Sequence, residues 1–330
     1  MNYLKLPHTD FEISEIAFGA WAIVGGFNWG HQEERDSLAA LRAAYDAGIN
    51  FFDTAELYGS GASENLIDKA LHSERDKIII ATKLKPEDYT YEDVKKATDE
   101  RLKALRSDYV DMMQLHWPNP EIPISETLGA LSDLKKEGKI RAFGVSNFGA
   151  VDLKESFQFS EEISSNQLPY NLLWRAIEYE ILPECKKRNL PVLCYSPIMQ
   201  GLLVGKFPSA HDVPDDRART RHFSSERPLA RHGEAGLEEE TFATIRKIKQ
   251  IAEEIGKPMG DVSLAWLLSQ AGVGSVIVGG RNAEQVKKNV KAIEIELSED
   301  VIQELNQATS ALKEKLGKNA DMWQGDGRIN

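Results

Sequence analysis

Asp53, Tyr58, Lys83 and His116 place a carboxylate, a phenol, an amine and an imidazole along the first third of a 330-residue chain. Each stands at or shortly after the end of an apolar run, Ile49 to Phe52, Ile78 to Ala81 or Tyr109 to Leu115. The intervals are 30 residues from Asp53 to Lys83 and 33 from Lys83 to His116, matching a strand–helix–strand unit of roughly 30 residues or more. A phenol ionises near pH 10, and desolvation raises that value. A neighbouring ammonium opposes the rise, and a carboxylate holds the ammonium charged and in place. Such a set makes Tyr58, its pKa drawn toward working pH, a candidate general acid for a carbonyl oxygen that gains charge as hydride reaches the carbon. His116 is a second donor to that oxygen. Singly, each residue has a plainer use: Asp53 as a cap, Tyr58 as a loop aromatic, Lys83 as a solvated strand end, His116 as an interior histidine. Their joint placement carries the chemical reading. Lys83 as a Schiff-base nucleophile is another chemistry open to the set.

The elements that must position these groups recur along the whole chain. The residues closing successive strand-like runs are Gly19, Asp53, Lys83, His116, Ser146, Gln167, Ser196 and Gly280, eight in all. Between them lie helix-like segments: 32–47, 63–71, 91–105, 124–137, 150–157, 177–188 and 283–292. Eight alternating units predict a closed parallel (β/α)8 TIM barrel of α/β class, with function at the C-terminal ends of the strands. Ahead of it, 3–6 and 11–13 predict an N-terminal β-hairpin able to plug the barrel's opposite end. Two segments break the rhythm. The 84 residues from Ser196 to Gly280 hold a polar loop at about 207–236, then helices at about 238–255 and 260–270. An extra C-terminal helix, 298–316, precedes a tail, 317–330, whose Met322 and Trp323 are expected to fold over a site. No Pro- or Gly-rich linker divides the chain, so 1–330 is expected to be a single barrel domain.

Composition narrows the function. The 40 basic and 52 acidic side chains give a net charge of −12, which argues against a nucleic-acid or acidic-membrane surface as the main partner. No window of 18 uncharged apolar residues is present, so membrane insertion is not expected. Only Cys185 and Cys194 are present, which excludes a disulfide scaffold or Cys-rich zinc site and suits a reducing, cytoplasmic setting. The seven histidines form neither H-x-H nor H-E-x-x-H, so no metal is expected. No G-x-G-x-x-G follows a strand; Gly25-Gly26-Phe27-Asn28-Trp29-Gly30 instead reads as a flexible substrate-side loop.

The stretches Asp53-Thr54-Ala55-Glu56-Leu57-Tyr58-Gly59, Ala81-Thr82-Lys83 and Gln114-Leu115-His116-Trp117 resemble the catalytic segments of the aldo-keto reductases. The resemblance continues through Gly144-Val145-Ser146-Asn147-Phe148, Asn166-Gln167, Tyr195-Ser196-Pro197 with Gly201-Leu202-Leu203, and Val278-Gly279-Gly280-Arg281. The long polar loop is closer to the bacterial and potassium-channel-β-like branches. The resemblance implies NADPH bound extended on a barrel, with Ser146, Asn147 and Gln167 on the carboxamide and Tyr195 stacked on the nicotinamide. It implies that Ser196, Pro197, Gly201, Leu203 and Lys206 serve the pyrophosphate, with Arg219 as a clasp. Gly280 and Arg281 would take the 2′-phosphate, which favours NADPH over NADH, and Gln285 and Asn289 would meet the adenine. Trp21, Trp29, Trp117, Trp174 and Trp323 are expected near the mouth as a wall for a small-molecule carbonyl substrate, whereas Trp266 fits the core. The implied function is NADP-dependent reduction of aldehydes or ketones to alcohols, a reversible oxidoreductase reaction on the CH–OH group. An alternative is an NADPH-binding, redox-sensing regulatory subunit with slow turnover.

Overall fold

The computed structural model describes residues 1–26, 29–325 and 328–329. Strands β1 (Tyr3–Lys5) and β2 (Glu12–Ser14) form an antiparallel hairpin. Eight parallel strands follow: β3 (Ile16–Gly19), β4 (Phe51–Asp53), β5 (Ile79–Leu84), β6 (Val110–Leu115), β7 (Ile140–Ser146), β8 (Ile163–Pro169), β9 (Val192–Tyr195) and β10 (Val273–Gly279). They close in chain order, β10 pairing with both β9 and β3. The helices are α1 (Glu34–Asp46), α2 (Ala62–Leu71), α3 (Tyr91–Leu105), α4 (Ile124–Lys136), α5 (Ala150–Ser156), α6 (Ile181–Lys187), α7 (Glu238–Glu254), α8 (Met259–Leu268), α9 (Ala283–Val290) and α10 (Glu299–Leu316). α7 and α10 pack on each other as additions to the eight units.

The expected barrel and hairpin are both present, and the strand-closing residues fall within two residues of the observed strand ends. One helix is shorter than its periodicity implied. Residues 177–188 divide into a 3-10 turn (Ala176–Glu178) and α6, because Glu180 leaves helical geometry at φ −134°, ψ −41°. Pro183, which has no N–H to donate, is tolerated only in the first turn that this break creates.

Strand parity explains the polar top of the barrel. Inward side chains alternate with outward ones, so an apolar inward residue is followed two positions later by the next inward one: Phe51 by Asp53, Ala81 by Lys83, Met112 by Gln114, Leu193 by Tyr195. At the N-terminal end, Leu6, Phe11 and Ile13 of the hairpin region pack with Ala17, Phe51, Ile79, Met112, Leu193 and Ile277 in one buried cluster. The hairpin thus plugs that end, as anticipated. Gly144 marks the tightest interior point: a Cβ there would lie 2.5 Å from Met112 Cε and 2.8 Å from Ser165 Oγ.

Candidate active site

The C-terminal ends of the strands open into a cavity of about 760 Å3. Lys83, with 1% of its surface exposed, sits just beneath it. Its Nζ donates to Asp53 Oδ1 at 2.7 Å, to the Thr54 carbonyl at 2.8 Å and to Tyr58 Oη at 3.4 Å. Asp53 Oδ2 accepts from Gln167 Nε2 at 2.7 Å and from Gln114 Nε2 at 3.3 Å. The carboxylate is therefore fixed by three strands, and it fixes the lysine in turn.

Tyr58 rides on the segment between β4 and α2, where Gly59 (φ +65°) and Gly61 (φ +88°) allow the turn. Its ring stacks on Trp21 with centroids 5.8 Å apart and meets the His116 ring edge-on at 6.3 Å. Burial pushes the phenol above its ordinary value of 10, and the Lys83 ammonium offsets only part of that rise. The expectation that Lys83 would draw Tyr58 toward working pH thus holds in sign for the lysine but not for the sum, because desolvation of the half-buried phenol exceeds the effect of the ammonium. Burial works most strongly against the Lys83 ammonium, yet Asp53 and Tyr58 together outweigh it and the lysine stays charged. At neutral pH the pair is a neutral phenol beside a cation. His116 is held down to about 3 by burial, with smaller contributions from Lys83 and Arg328. It is a neutral imidazole whose Nδ1 has no hydrogen-bond partner.

Nearly every residue singled out in the sequence lines this cavity: Trp21, Trp29, Asp53, Tyr58, His116, Trp117, Ser146, Asn147, Gln167, Tyr195, Ser196, Pro197, Gly201, Lys206, Arg219, Gly280, Arg281, Gln285, Asn289 and Trp323. Asn147 (φ +62°) accepts from the Tyr195 hydroxyl at 2.9 Å and donates to the His116 carbonyl at 2.9 Å. Ser146 Oγ donates to the Gln167 carbonyl. Arg281 Nε reaches Gln32 Oε1 at 2.7 Å, and an Nη reaches the His31 carbonyl. The backbone N–H of Arg281 donates to Gln285 Oε1, while Asn289 reaches the Gly279 carbonyl. Gly280 is pressed against α9, since a Cβ would come within 2.8 Å of Val286 Cγ2.

Some expectations fall elsewhere. Leu203 is fully buried off the lining, and its N–H donates to the Ile198 carbonyl. Trp174 belongs to the core: it is buried against His222 and donates to the Ala320 carbonyl. Trp266 is core, as anticipated. Met322 is wholly buried, so only Trp323 of that pair reaches the cavity. Phe27 and Asn28 of the glycine-rich stretch, and residues 326, 327 and 330 of the tail, lie outside the described residues.

Beside the expected Arg219, the lining holds residues not singled out for this site. Arg217 stacks over Trp29 at 4.5 Å, and Arg219 lies between Trp323 and Trp21 at 5.3 and 6.0 Å. Arg328 lies 3.7 Å over Trp117 and pairs with buried Asp321 at 2.8 Å. Gln200, Arg231 and Lys288 complete a strongly cationic rim. The only signal of these in the sequence was the run Arg217, Arg219, Arg221, which spacing cannot resolve. In the fold Arg221 turns away to Glu234 and the carbonyls of Leu316 and Asn319. Among the described residues no cluster of three or more His, Cys, Asp or Glu could hold a metal, and no helix is long and apolar enough to cross a membrane.

A plugged (β/α)8 barrel with a carboxylate, an ammonium, a phenol and an imidazole at its C-terminal mouth defines a class of carbonyl oxidoreductases. Residues 15–310 match the aldo/keto reductase family model, and the chain belongs to that family. It is 33% identical over 298 residues to aldo-keto reductase YhdN of Bacillus subtilis, covering 87% of each chain. It is 30% identical to the NADH-specific methylglyoxal reductase of Escherichia coli, over 91% of this chain and 95% of that one. The glycerol dehydrogenase structure from Gluconobacter oxydans superposes with a TM-score of 0.81 at 29% identity, covering 94% of this chain and 95% of that one. An aldo-keto reductase of Klebsiella pneumoniae in complex with NADPH gives 0.74 at 27% identity, with 94% and 96% covered.

Proposed function

We propose that this chain reduces aldehydes or ketones to alcohols, reversibly and with NADPH, using Tyr58 as the general acid. The observation that carries the reading is the Lys83 ammonium, held by Asp53 and Thr54 within 3.4 Å of the Tyr58 hydroxyl at the floor of the cavity. A dinucleotide phosphate fits the rest of that cavity. Buried donors with no acceptor line it, namely Gln200 Nε2 and the Nε atoms of Arg217 and Arg219, and an anion satisfies them. Ser146, Asn147 and Gln167 would hold the carboxamide and Tyr195 the ring. Ser196, Pro197, Gly201, Lys206 and Arg219 would hold the pyrophosphate, Gly280 and Arg281 the 2′-phosphate, and Gln285 and Asn289 the adenine. The cofactor supplies hydride.

The chain's own residues do the proton work. Tyr58 is protonated at neutral pH and donates its proton to the carbonyl oxygen. Lys83 stabilises the phenolate left behind, and Asp53 keeps the lysine charged and aimed. Neutral His116 offers one N–H to the same oxygen, and the aromatic wall of Trp21, Trp29, Trp117 and Trp323 excludes water from around the substrate. In the reverse direction the phenolate takes the alcohol proton. We assign residues 1–330 to one catalytic unit acting in the cytoplasm on small-molecule carbonyls.

Tyr58→Phe tests this reading. Turnover should fall by about 10²–10⁴-fold, the range for a lost general acid, while NADPH still quenches tryptophan fluorescence. An active mutant would mean that another acid carries the step. The likeness to a probable voltage-gated potassium channel subunit beta of Oryza sativa, 28% identical over 311 residues, favours a second reading as a slow redox-sensing subunit. Fast NADP+ exchange in stopped-flow fluorescence counts against it.

A further inference from the structure

Directly behind the tetrad lies a buried ionic cluster that the proton path does not use. Glu64, in the first turn of α2, exposes none of its surface. Its Oε1 accepts from the Thr82 hydroxyl at 2.5 Å, and its Oε2 has no hydrogen-bond partner. Arg101 of α3 faces that oxygen with Nε 3.6 Å away, and its Nε and Nη1 are likewise without partners. Nη1 lies 3.4 Å from Glu56, which pairs with Lys85 at 3.2 Å. The cluster reaches residues close to the tetrad in the chain: Thr82 directly precedes Lys83, Lys85 lies two residues after it, and Glu56 two before Tyr58. Ser63, beside Glu64, accepts from the hydroxyl of Thr54, whose carbonyl receives Lys83.

We propose that Glu64 is a positioning residue for the tetrad: its carboxylate, shared between Thr82 and Arg101, holds the end of β5 that presents Lys83 to Tyr58, and loss of its charge releases that hold. The inference rests on the reductase reading above. An O–H···O contact of 2.5 Å lies in the range of a bond to an ionised acceptor. A proton on Glu64 goes to Oε2, which has no partner: it cancels the charge facing Arg101, leaves Arg101 to Glu56 alone, and makes Oε1 a neutral and weaker acceptor for the Thr82 hydroxyl. The charged groups facing Glu64 are Arg101 from α3, Glu56 from the β4–α2 segment and Lys83 from β5. α1 is tied to α2 only further along, through Lys69 to Glu34 and Arg42 to the Ala70 carbonyl. Burial outweighs the attraction of Arg101 and Thr82 and carries the carboxyl up to about 7. It therefore exchanges its proton at neutral pH.

Infrared difference spectra of the whole chain between about pH 6 and about pH 8, spanning that transition, should contain a protonated-carboxyl band that Glu64→Gln removes. Over the same interval, kcat for NADPH-dependent aldehyde reduction should change about 3- to 10-fold in the natural chain and lose that inflection in Glu64→Gln, which keeps an acceptor for Thr82 but cannot exchange the proton. Thr82→Val, lacking the donor, should move the band's midpoint upward and serves if Glu64→Gln does not fold. Absence of the band, or an inflection retained in Glu64→Gln, overturns the proposal and leaves the reductase reading standing. A chain that turns over no carbonyl with NADPH defeats both.

Discussion

The two ends of the cavity differ in how far the chain satisfies its own polar groups. At the tetrad, Lys83 reaches Asp53, Thr54 and Tyr58, and Asp53 also accepts from Gln114 and Gln167. Along the rim that bears the long polar loop, the Nε atoms of Arg217 and Arg219 and Nε2 of Gln200 are buried without acceptors. The closed end rests on Asp53, Lys83, Gln114 and Gln167, strand residues that bond one another. The open end is built on a loop and has donors to spare, as a binding region for an anion requires. The proposed reacting groups are fixed by the chain's own bonds, whereas the proposed binding groups carry donors that an anion would satisfy.

Breaking the closed end should give the largest effect. Lys83→Met leaves the Asp53 carboxylate buried without its cation, a loss of about 3–5 kcal/mol in other buried pairs. It also removes the charge that stabilises a Tyr58 phenolate, for a further fall in kcat of about 10²–10⁴-fold. Urea unfolding and steady-state kinetics separate the two. The double variant Asp53→Asn with Lys83→Met should regain much of the stability and none of the rate. A double variant that recovers turnover would mean the ammonium has no chemical role.

The second prediction concerns pH. His116 lies below its ordinary value of 6.5, at about 3, chiefly because it is buried. The unfolded imidazole takes up a proton below 6.5 while the folded one stays neutral. Stability is therefore complete above about pH 6.5 and falls as pH drops toward 3, by up to about 4 kcal/mol. Denaturant midpoints of the natural chain should fall more steeply over that window than those of His116→Asn. Turnover should lack an inflection at 6.5 from this residue. A His116 proton resonance titrating near 6.5 would place charge at the mouth and remove the contrast with the cationic rim.

The closed end was also the legible end. Strand residues repeat every second position and helices show a period of 3.6, so α3 spans Tyr91–Leu105 as the pattern predicts and the barrel strands close where the sequence placed them. The open end has no such period. Arg217, Arg219 and Arg221 are spaced alike, yet two line the cavity and the third braces the C-terminal helix and tail. Arg328 reaches Trp117 across 211 residues of sequence, a contact set by the path of the tail, which no local pattern encodes. Burial is the other quantity that residue types conceal. It reversed the net shift of Tyr58 and placed Trp174 in the core.

The smallest effect should come from the open end. Arg219 packs between Trp323 and Trp21, and burial, with Arg231 nearby, pushes its pKa below the ordinary arginine value. No carboxylate pairs with it among the described residues, so a bound phosphate would relieve both the desolvation and the repulsion. Arg219→Ala removes one charge-assisted contact, about 1.5–3 kcal/mol in general but discounted here because the side chain is partly solvated. The Kd for NADPH should rise roughly tenfold. The loss should appear in Kd and in its salt dependence more than in single-turnover hydride transfer, because Arg219 touches none of the reacting residues directly. If Arg219→Ala instead slows hydride transfer with Kd unmoved, the guanidinium acts through Trp21 on Tyr58, and the division between a closed reacting end and an open binding end does not hold.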